Sequence, residues 1–328
     1  MVERPGNSEL ISSPYAALIE FARAALSLAD TSISSVEARQ FFEQRFTPHH
    51  FGSPMDLDGF VTGYFEPELA ASLQPSAEYP VPLHQCPEDL VQLDDHNRPA
   101  AMDPALSFGH KRDGKISEYF DRGEIQAGAL DCLGLELVWL KNKTDAYFVH
   151  VQGSARLILP DGQSMRVGFA AKSGQPYTSI GKVLCKRIGI SEDQMTADRL
   201  AEWMRSHPDD VDELMANNRS YIFFKAMDRR LDLDEGPVGA ADIALTPRRS
   251  LAVDHSIHPY GLPIWVAARD DLLGEDRPFS RLMVAQDTGS AIIGPQRGDI
   301  FVGSGERAGL IAGKIRSPAS FTLLVPRQ

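Results

Sequence analysis

The last third of the chain restricts most strongly what the whole can fold into. From residue 219 onward, short apolar runs recur: SYIFFKAM, SLAVD, PIWVAA, SRLMVAQDTG, DIFVG and SFTLLVP. Glycine and proline punctuate all of them, and their spacing is irregular. Six such runs without intervening helical periodicity argue for a β-barrel rather than for strand–helix–strand units. Inside this region, the stretch from Ala285 to Gly313 holds seven glycines around two aspartates, Asp287 and Asp299. Glycine costs backbone entropy in any regular element, so this density points to close approach of backbone or ligand.

The remainder of the chain is organised around that block. Residues 9–46 read as helical, with Leu18, Ile19, Phe21, Ala22, Ala25 and Leu26 near a 3.6 period and a second helix over 32–46. DGFVTGYFEPEL (58–69) reads as a strand followed by a loop. Residues 70–112 are rich in proline and aspartate with little period, and read as irregular connection. From 131 to 170 the runs LELVWL, AYFVHVQGSARLIL and SMRVGFA read as strands, with a turn at Pro160-Asp161-Gly162. Residues 193–216 return to helix, broken at Pro208. This order suggests nested domains. The strand at 58–66 belongs with the strands after 219, and a second β domain is inserted between them. The expected division is 1–72 with 217–328 for the barrel and its helices, and 73–216 for the insert.

A chain of 328 residues has room for two domains and a substantial core. Its formal net charge of −12 argues against nucleic acid as a partner. No P-loop, GxGxxG or nucleophile elbow occurs, so no cofactor is expected. Cys86, Cys132 and Cys185 are odd in number and lack CxxC spacing, so they read as buried free thiols rather than as disulfide or zinc ligands. No run of about 18 apolar residues exists, and MVERPGNSEL carries no apolar core of a signal peptide.

Candidate chemistry lies at strand ends. Asp254, Asp287 and Asp299 each adjoin a short apolar run, where a loop can present a carboxyl to a cleft. Burial and mutual repulsion of such carboxyls raise one pKa towards neutrality, as acid/base work needs. Each could equally be a turn residue. His255 and His258 sit in a Pro- and Gly-containing loop and make a poor metal pair. Gln152 and Ser154 in VQGSARL, and Tyr177 in SGQPYTSIGK, could hydrogen-bond a sugar or an amide, or simply face solvent. Tyr64 and Glu66 in GYFEP stand in a Gly/Pro frame that suggests a loop.

Five stretches together carry a resemblance: VTGYFEPEL, YFVHVQGSARLILPDG, GFAAKSGQPYTSIGKVL, NNRSYIFFK and VAQDTGSAIIGPQRGDIFVGSGERAGLIAG. In this order, from about Val61 to Pro326, the chain is similar to the membrane-bound lytic murein transglycosylase A family. The resemblance implies a mainly β protein with N-terminal helices: a double-psi β-barrel, a smaller inserted β-barrel, and a groove between them. It implies cleavage of the β-1,4 bond between N-acetylmuramic acid and N-acetylglucosamine, with a 1,6-anhydromuramic product. Asp254, Asp287 and Asp299 match the family's three aspartates. Asp299 matches its single acid/base and Asp287 the second active-site carboxylate. Thr62, Tyr64, Glu66, Gln152, Ser154, Tyr177 and Asp254 form the expected substrate-binding set, without a metal. The family often has Gly-Gly-Ala-Ile-Lys where this chain has Gly289, Ser290, Ala291, Ile292 and Ile293. Peptidoglycan glycan strands are the implied partner, with other cell-wall synthesis or lysis proteins as further candidates. The implied location is the periplasm at the outer membrane, although the lipobox cysteine of the family is missing from this chain's start. Two competing readings are a glycoside hydrolase using Asp287 and Asp299 as base and acid, and a wall-glycan-binding protein without activity.

Overall fold

The computed structural model describes residues 14–29, 33–51, 57–227 and 235–327. The helical expectation over 9–13 and 30–32 lies outside them. Helix α1 (Pro14–Ala29) is followed by α2 (Ser35–Arg45). Ser34 caps α2 by accepting from the Glu37 amide, while Glu37 accepts back from the Ser34 amide, so two donors at the helix start are satisfied. Strands β1 (Phe46–His50), β2 (Gly59–Glu66), β3 (Glu68–Ser72), β4 (Val81–His84), β5 (Leu90–Gln92), β6 (Phe108–Arg112) and β7 (Lys115–Ser117) come next. They are followed by helix α3 (Arg122–Gln126), β8 (Glu136–Leu140), α4 (Lys143–Gln152), β9 (Ser154–Ile158) and β10 (Ser164–Lys172). Helices α5 (Ile180–Ile188), α6 (Ala197–Ser206) and α7 (Val211–Ala216) precede β11 (Ile222–Ala226). The chain ends through β12 (Ser250–Val253), β13 (Pro263–Ala267), β14 (Ser280–Asp287), β15 (Arg297–Ser304), α8 (Glu306–Ala312) and β16 (Arg316–Pro326).

The chain divides into two compact units, 1–62 with 239–301 and 315–328, and 63–238 with 302–314. The first holds a sheet of order β1-β16-β13-β14-β12-β15-β2, in which β16 also pairs with β2. That extra pairing, Arg316↔Thr62 to Ala319↔Gly59, closes six strands into a barrel and leaves β1 attached to β16 outside the ring. The parallel pair β12–β14 stands among antiparallel pairs β12–β15, β13–β14 and β13–β16. Val61, Leu251, Ile264, Met283, Ala285 and Ile300 alternate inward and are fully buried, which is what the period-two pattern of these strands is for.

The second unit contains a sheet of order β11-β10-β9-β3-β8-β4, and its two edges meet through the single bridge Gln85↔Phe224. Leu83, Val138, Leu140, Leu157 and Phe224 fill its core. A three-stranded sheet β5-β6-β7 and a helical layer built on Tyr147, Ile180, Leu184, Met204 and Leu214 belong to the same unit.

Four sequence expectations need correction. AYFVHVQ forms helix α4, not strand. Asn142 caps its start by accepting from the Asp145 amide at 2.8 Å, and Gly153 ends it at φ 77, so the two caps outweigh the β-rich composition between them. Residues 70–112 are not featureless, because four short strands lie wholly or partly within them. SYIFFKAM does not join the barrel: β11 pairs with β10, and β3 with β8 and β9, so both flanks of the expected insert lie in the second unit. The units accordingly divide at 62/63 and 238/239 rather than at 72/73 and 216/217, and the second unit is the larger. Cys185 is buried, but Cys86 and Cys132 are exposed.

Candidate active site

Residue Ala252 organises the carboxylates of the first unit. Asp299 on β15 is its register partner on one side, and Asp287 on β14 is its partner on the other. The second pairing depends on a bulge. Leu251 faces Ala285, but the next residue, Ala252, faces Asp287, so Gln286 is the extra residue. Without it, Ala252 would face Gln286 and Asp287 would shift along the ladder. Leu251, Ala285 and Ile300 line the core, so Ala252 and the two aspartates share the opposite face of the sheet. Gly298 fits beside Asp299 because a Cβ there would lie 2.8 Å from the Phe321 ring and 3.0 Å from Leu251.

Asp299 accepts a hydrogen bond of 2.6 Å from the Thr62 hydroxyl through Oδ1. Thr62 in turn accepts one of 2.8 Å from Arg297 Nη2. Arg297 is held by the carbonyls of Gly298 and Phe60 and lies over the Phe60 ring. Burial raises the Asp299 carboxyl to about 6; the Thr62 bond and the Arg297 charge pull it down, and Asp287 pushes it up. Asp299 as a whole residue is half-buried, and its carboxyl is desolvated.

Asp287 accepts from the Ala240 amide at 3.0 Å. Tyr260 stands beside it: burial first, then the Asp287 charge, raise its phenol, and it hydrogen-bonds Thr288. Asp254 acts differently. Its Oδ1 accepts from the Ser256 amide and hydroxyl, and its Oδ2 accepts from Gly294 N–H at 2.8 Å, where φ is 108. Burial pushes the Asp254 carboxyl up, but these bonds outweigh it and hold it below the usual carboxylate range. The loop after β12 is therefore stapled to the loop before β15. His258 Nε2 donates to the Pro295 carbonyl, and His255 stacks on Tyr260. Among the described residues no group of three or more His, Cys, Asp or Glu could hold a metal ion, and no helix is long and apolar enough to cross a membrane.

The other expected site residues lie in the second unit. Glu66 is fully buried. Its carboxylate lies against Arg166, with Oε1 3.0 Å from Nε and Oε2 3.2 Å from Nη2, and it accepts from Ser304 at 2.7 Å. It is thus committed inside the protein and is no free ligand-binding group. Gln152 Oε1 accepts from the Phe65 amide, and Ser154 is buried at the start of β9. Tyr64 is half-buried and Tyr177 is exposed. Sequence reasoning missed Arg297 and Tyr260. A signal existed for the first: residues 297 and 299 share a face under strand period two. None existed for Tyr260, because its place beside Asp287 depends on β13 pairing with β14.

The fold and this face define a class, a closed β-barrel protein with a buried carboxyl of raised pKa beside a second carboxylate, in a chain that also holds a second β unit. Residues 60–225, about half the chain, match the MltA specific insert domain, and residues 249–325 match the 3D domain. Relatives named membrane-bound lytic murein transglycosylase A are 33% identical in Vibrio cholerae and 32% in Escherichia coli K12, each over 77% of this chain. The matched stretch spans 61% of those relatives' own length. A crystal structure of membrane-bound lytic murein transglycosylase from Agrobacterium tumefaciens superposes with a TM-score of 0.84 at 42% identity, covering 95% of this chain and 84% of that one. E. coli MltA with bound chitohexaose gives 0.72 at 26% identity, over 98% and 86%. The chain belongs to the MltA family.

Proposed function

We propose that the chain is a peptidoglycan lytic transglycosylase and that Asp299 is its acid and base. The single observation that carries this reading is the placing of Asp299 and Asp287 on either side of Ala252, with the Asp299 carboxyl held by Thr62 and raised by burial to about 6, where giving and taking a proton costs little near neutrality. Protonated Asp299 donates to the oxygen linking N-acetylmuramic acid C1 to N-acetylglucosamine C4. The C1–O bond breaks, and the N-acetylglucosamine leaves with the proton on its C4 oxygen. The muramic C6 oxygen bonds to C1, and its proton passes to the Asp299 carboxylate. Because the nucleophile is part of the substrate, no water is consumed and no second carboxylate is needed, unlike the acid–base pair of ordinary glycosidases. Asp287 raises the proton affinity of Asp299 and orients substrate.

The names of the related proteins, and the chitohexaose bound to E. coli MltA, support a glycan strand as substrate. In this reading 1–72 with 217–328 is the catalytic domain and 73–216 the substrate-binding insert, and glycan is bound through Thr62, Tyr64 and Asp254 of the first and Gln152, Ser154 and Tyr177 of the second. Glu66 supports that surface from beneath. The protein then works in the periplasm at the outer membrane, beside other wall-processing proteins.

Purified peptidoglycan digested with the protein is expected to release muropeptides one water lighter than hydrolysis products, with anhydro ends. Asp299→Asn is expected to lower kcat by about 10²–10⁴-fold. Products carrying the extra water and free reducing ends would instead identify a hydrolase, and an Asn variant with unchanged function would identify a glycan-binding protein.

A further inference from the structure

Arginine has five N–H donors and no acceptor, whereas a threonine hydroxyl has one hydrogen and two lone pairs. Arg297 Nη2 lies 2.8 Å from Thr62 Oγ1 and can only donate to it. The hydroxyl's single hydrogen is then free for Asp299 Oδ1, 2.6 Å away. The guanidinium cannot swing aside, because the Gly298 and Phe60 carbonyls hold its other nitrogen and its plane lies over the Phe60 ring. We infer that Arg297 is a positioning residue that works through Thr62: it fixes the direction of the Thr62 hydroxyl and thereby assigns Oδ2 of Asp299 as the oxygen that carries the reacting proton. The inference rests on the reading of Asp299 as acid and base.

The arrangement separates two tasks within one carboxyl. Oδ1 is occupied by a permanent donor in both protonation states, so it never needs to reorient during turnover. Oδ2 is left to exchange the proton with substrate oxygens. A hydroxyl without Arg297 could rotate, accept a hydrogen bond from a protonated Oδ1 and point its own hydrogen elsewhere, splitting the acid between two forms. Among the described residues, the groups facing Asp299 are Thr62 from β2, Ala252 from β12, Arg297 from its own strand, and the Asp287 charge from the end of β14. Of these, only Arg297 and Asp287 carry charge, and they act in opposite directions on the carboxyl.

The test is a ¹³C-carboxyl NMR titration of Asp299, assigned by the signal lost in Asp299→Asn, together with the pH profile of kcat. Arg297→Gln and Thr62→Val are each expected to raise the Asp299 titration by about one unit, and to move the alkaline limb of kcat upward with it, with KM within about threefold. Thr62→Ser, which keeps the hydroxyl, is expected to titrate as wild type. In the Thr62→Val background, Arg297→Gln is expected to add less than half of its single effect, because the path through the hydroxyl is already gone. Arg297→Lys serves if the glutamine variant unfolds, with a shift about half as large. An unmoved titration in the Arg297 variants, or fully additive shifts, would overturn the inference. The titration needs no substrate, so water-bearing products would end the transglycosylase reading alone, whereas anhydro products with an unmoved titration would end this inference alone.

Discussion

At the residue scale, the buried carboxyl of Asp299 works against stability. The Asp299 pKa lies above its ordinary 3.8, at about 6 in the folded protein. Between those two values the unfolded chain has already released its proton while the folded one retains it, so stability falls as pH rises through this window and stays lowered above it. Two pKa units correspond to about 3 kcal/mol. Asp299→Asn, which removes the charge and keeps an acceptor for Thr62, is therefore expected to melt higher than wild type at about pH 8 and level with it below about pH 4. Calorimetry at the two pH values checks this, and a gain that persists in acid would contradict it. The candidate site was legible in part at this scale. Asp287 and Asp299 stood out as carboxylates at strand ends, and the resemblance ranked them. The sequence could not separate Asp254 from them, because its role as a loop staple depends on Gly294 N–H arriving from a distant loop. Glu66 looked like a loop residue because Pro67 follows it, yet it is a buried anion fixed by Arg166, a hundred residues away.

At the element scale, Glu66 ties β2 to β10 through its ion pair with Arg166, and to the end of β15 through two hydrogen bonds. Glu66 accepts from Ser304 through its side chain, and its carbonyl accepts from Gly305 N–H at 2.8 Å. Removing one partner leaves the other as an uncompensated buried charge. Glu66→Leu is expected to cost about 3–5 kcal/mol in urea unfolding, and the double variant Glu66→Leu/Arg166→Met to recover most of that loss. A double variant no better than the single one would mean that the Glu235 carbonyl, which also accepts from Arg166, and Arg156, 3.8 Å from Glu66, carry the loss instead. Elements were legible where period and punctuation agreed, as at β14, at the β9–β10 hairpin and at the break before Asp210. They were misread where caps decided against composition. AYFVHVQ is rich in strand formers, yet Asn142 and Gly153 bracket a helix. The bulge at Gln286 left no mark in the sequence at all, because a bulge is a relation between two strands.

At the scale of the whole molecule, the first unit is closed by its most distant parts. β16 pairs with β1, β13 and β2, so the last strand of the chain completes a barrel begun near residue 59. A chain ending at Lys314 is expected to lose the cooperative unfolding transition of the first unit, seen by circular dichroism, because β13 and β2 would each be left with an unpaired edge. Retention of that transition would show that the ring does not depend on its closing strand. The barrel was readable from the order of strands, while the partners of β3 and β11 were not, since β3 pairs with β8 and β9 and β11 pairs with β10. The shared partnership of Asp287 and Asp299 with Ala252 has one more consequence. Positions on a hydrogen-bonded lattice move only in whole steps, one residue along a strand or one strand across. The separation between these two carboxylates therefore cannot drift under small mutations as it could on flexible loops. Evolution can retune the acidity of such a pair through its neighbours, but a change of spacing requires a discrete rearrangement of the sheet, which makes the geometry of the pair a conservative property of this barrel and its proton affinity a variable one.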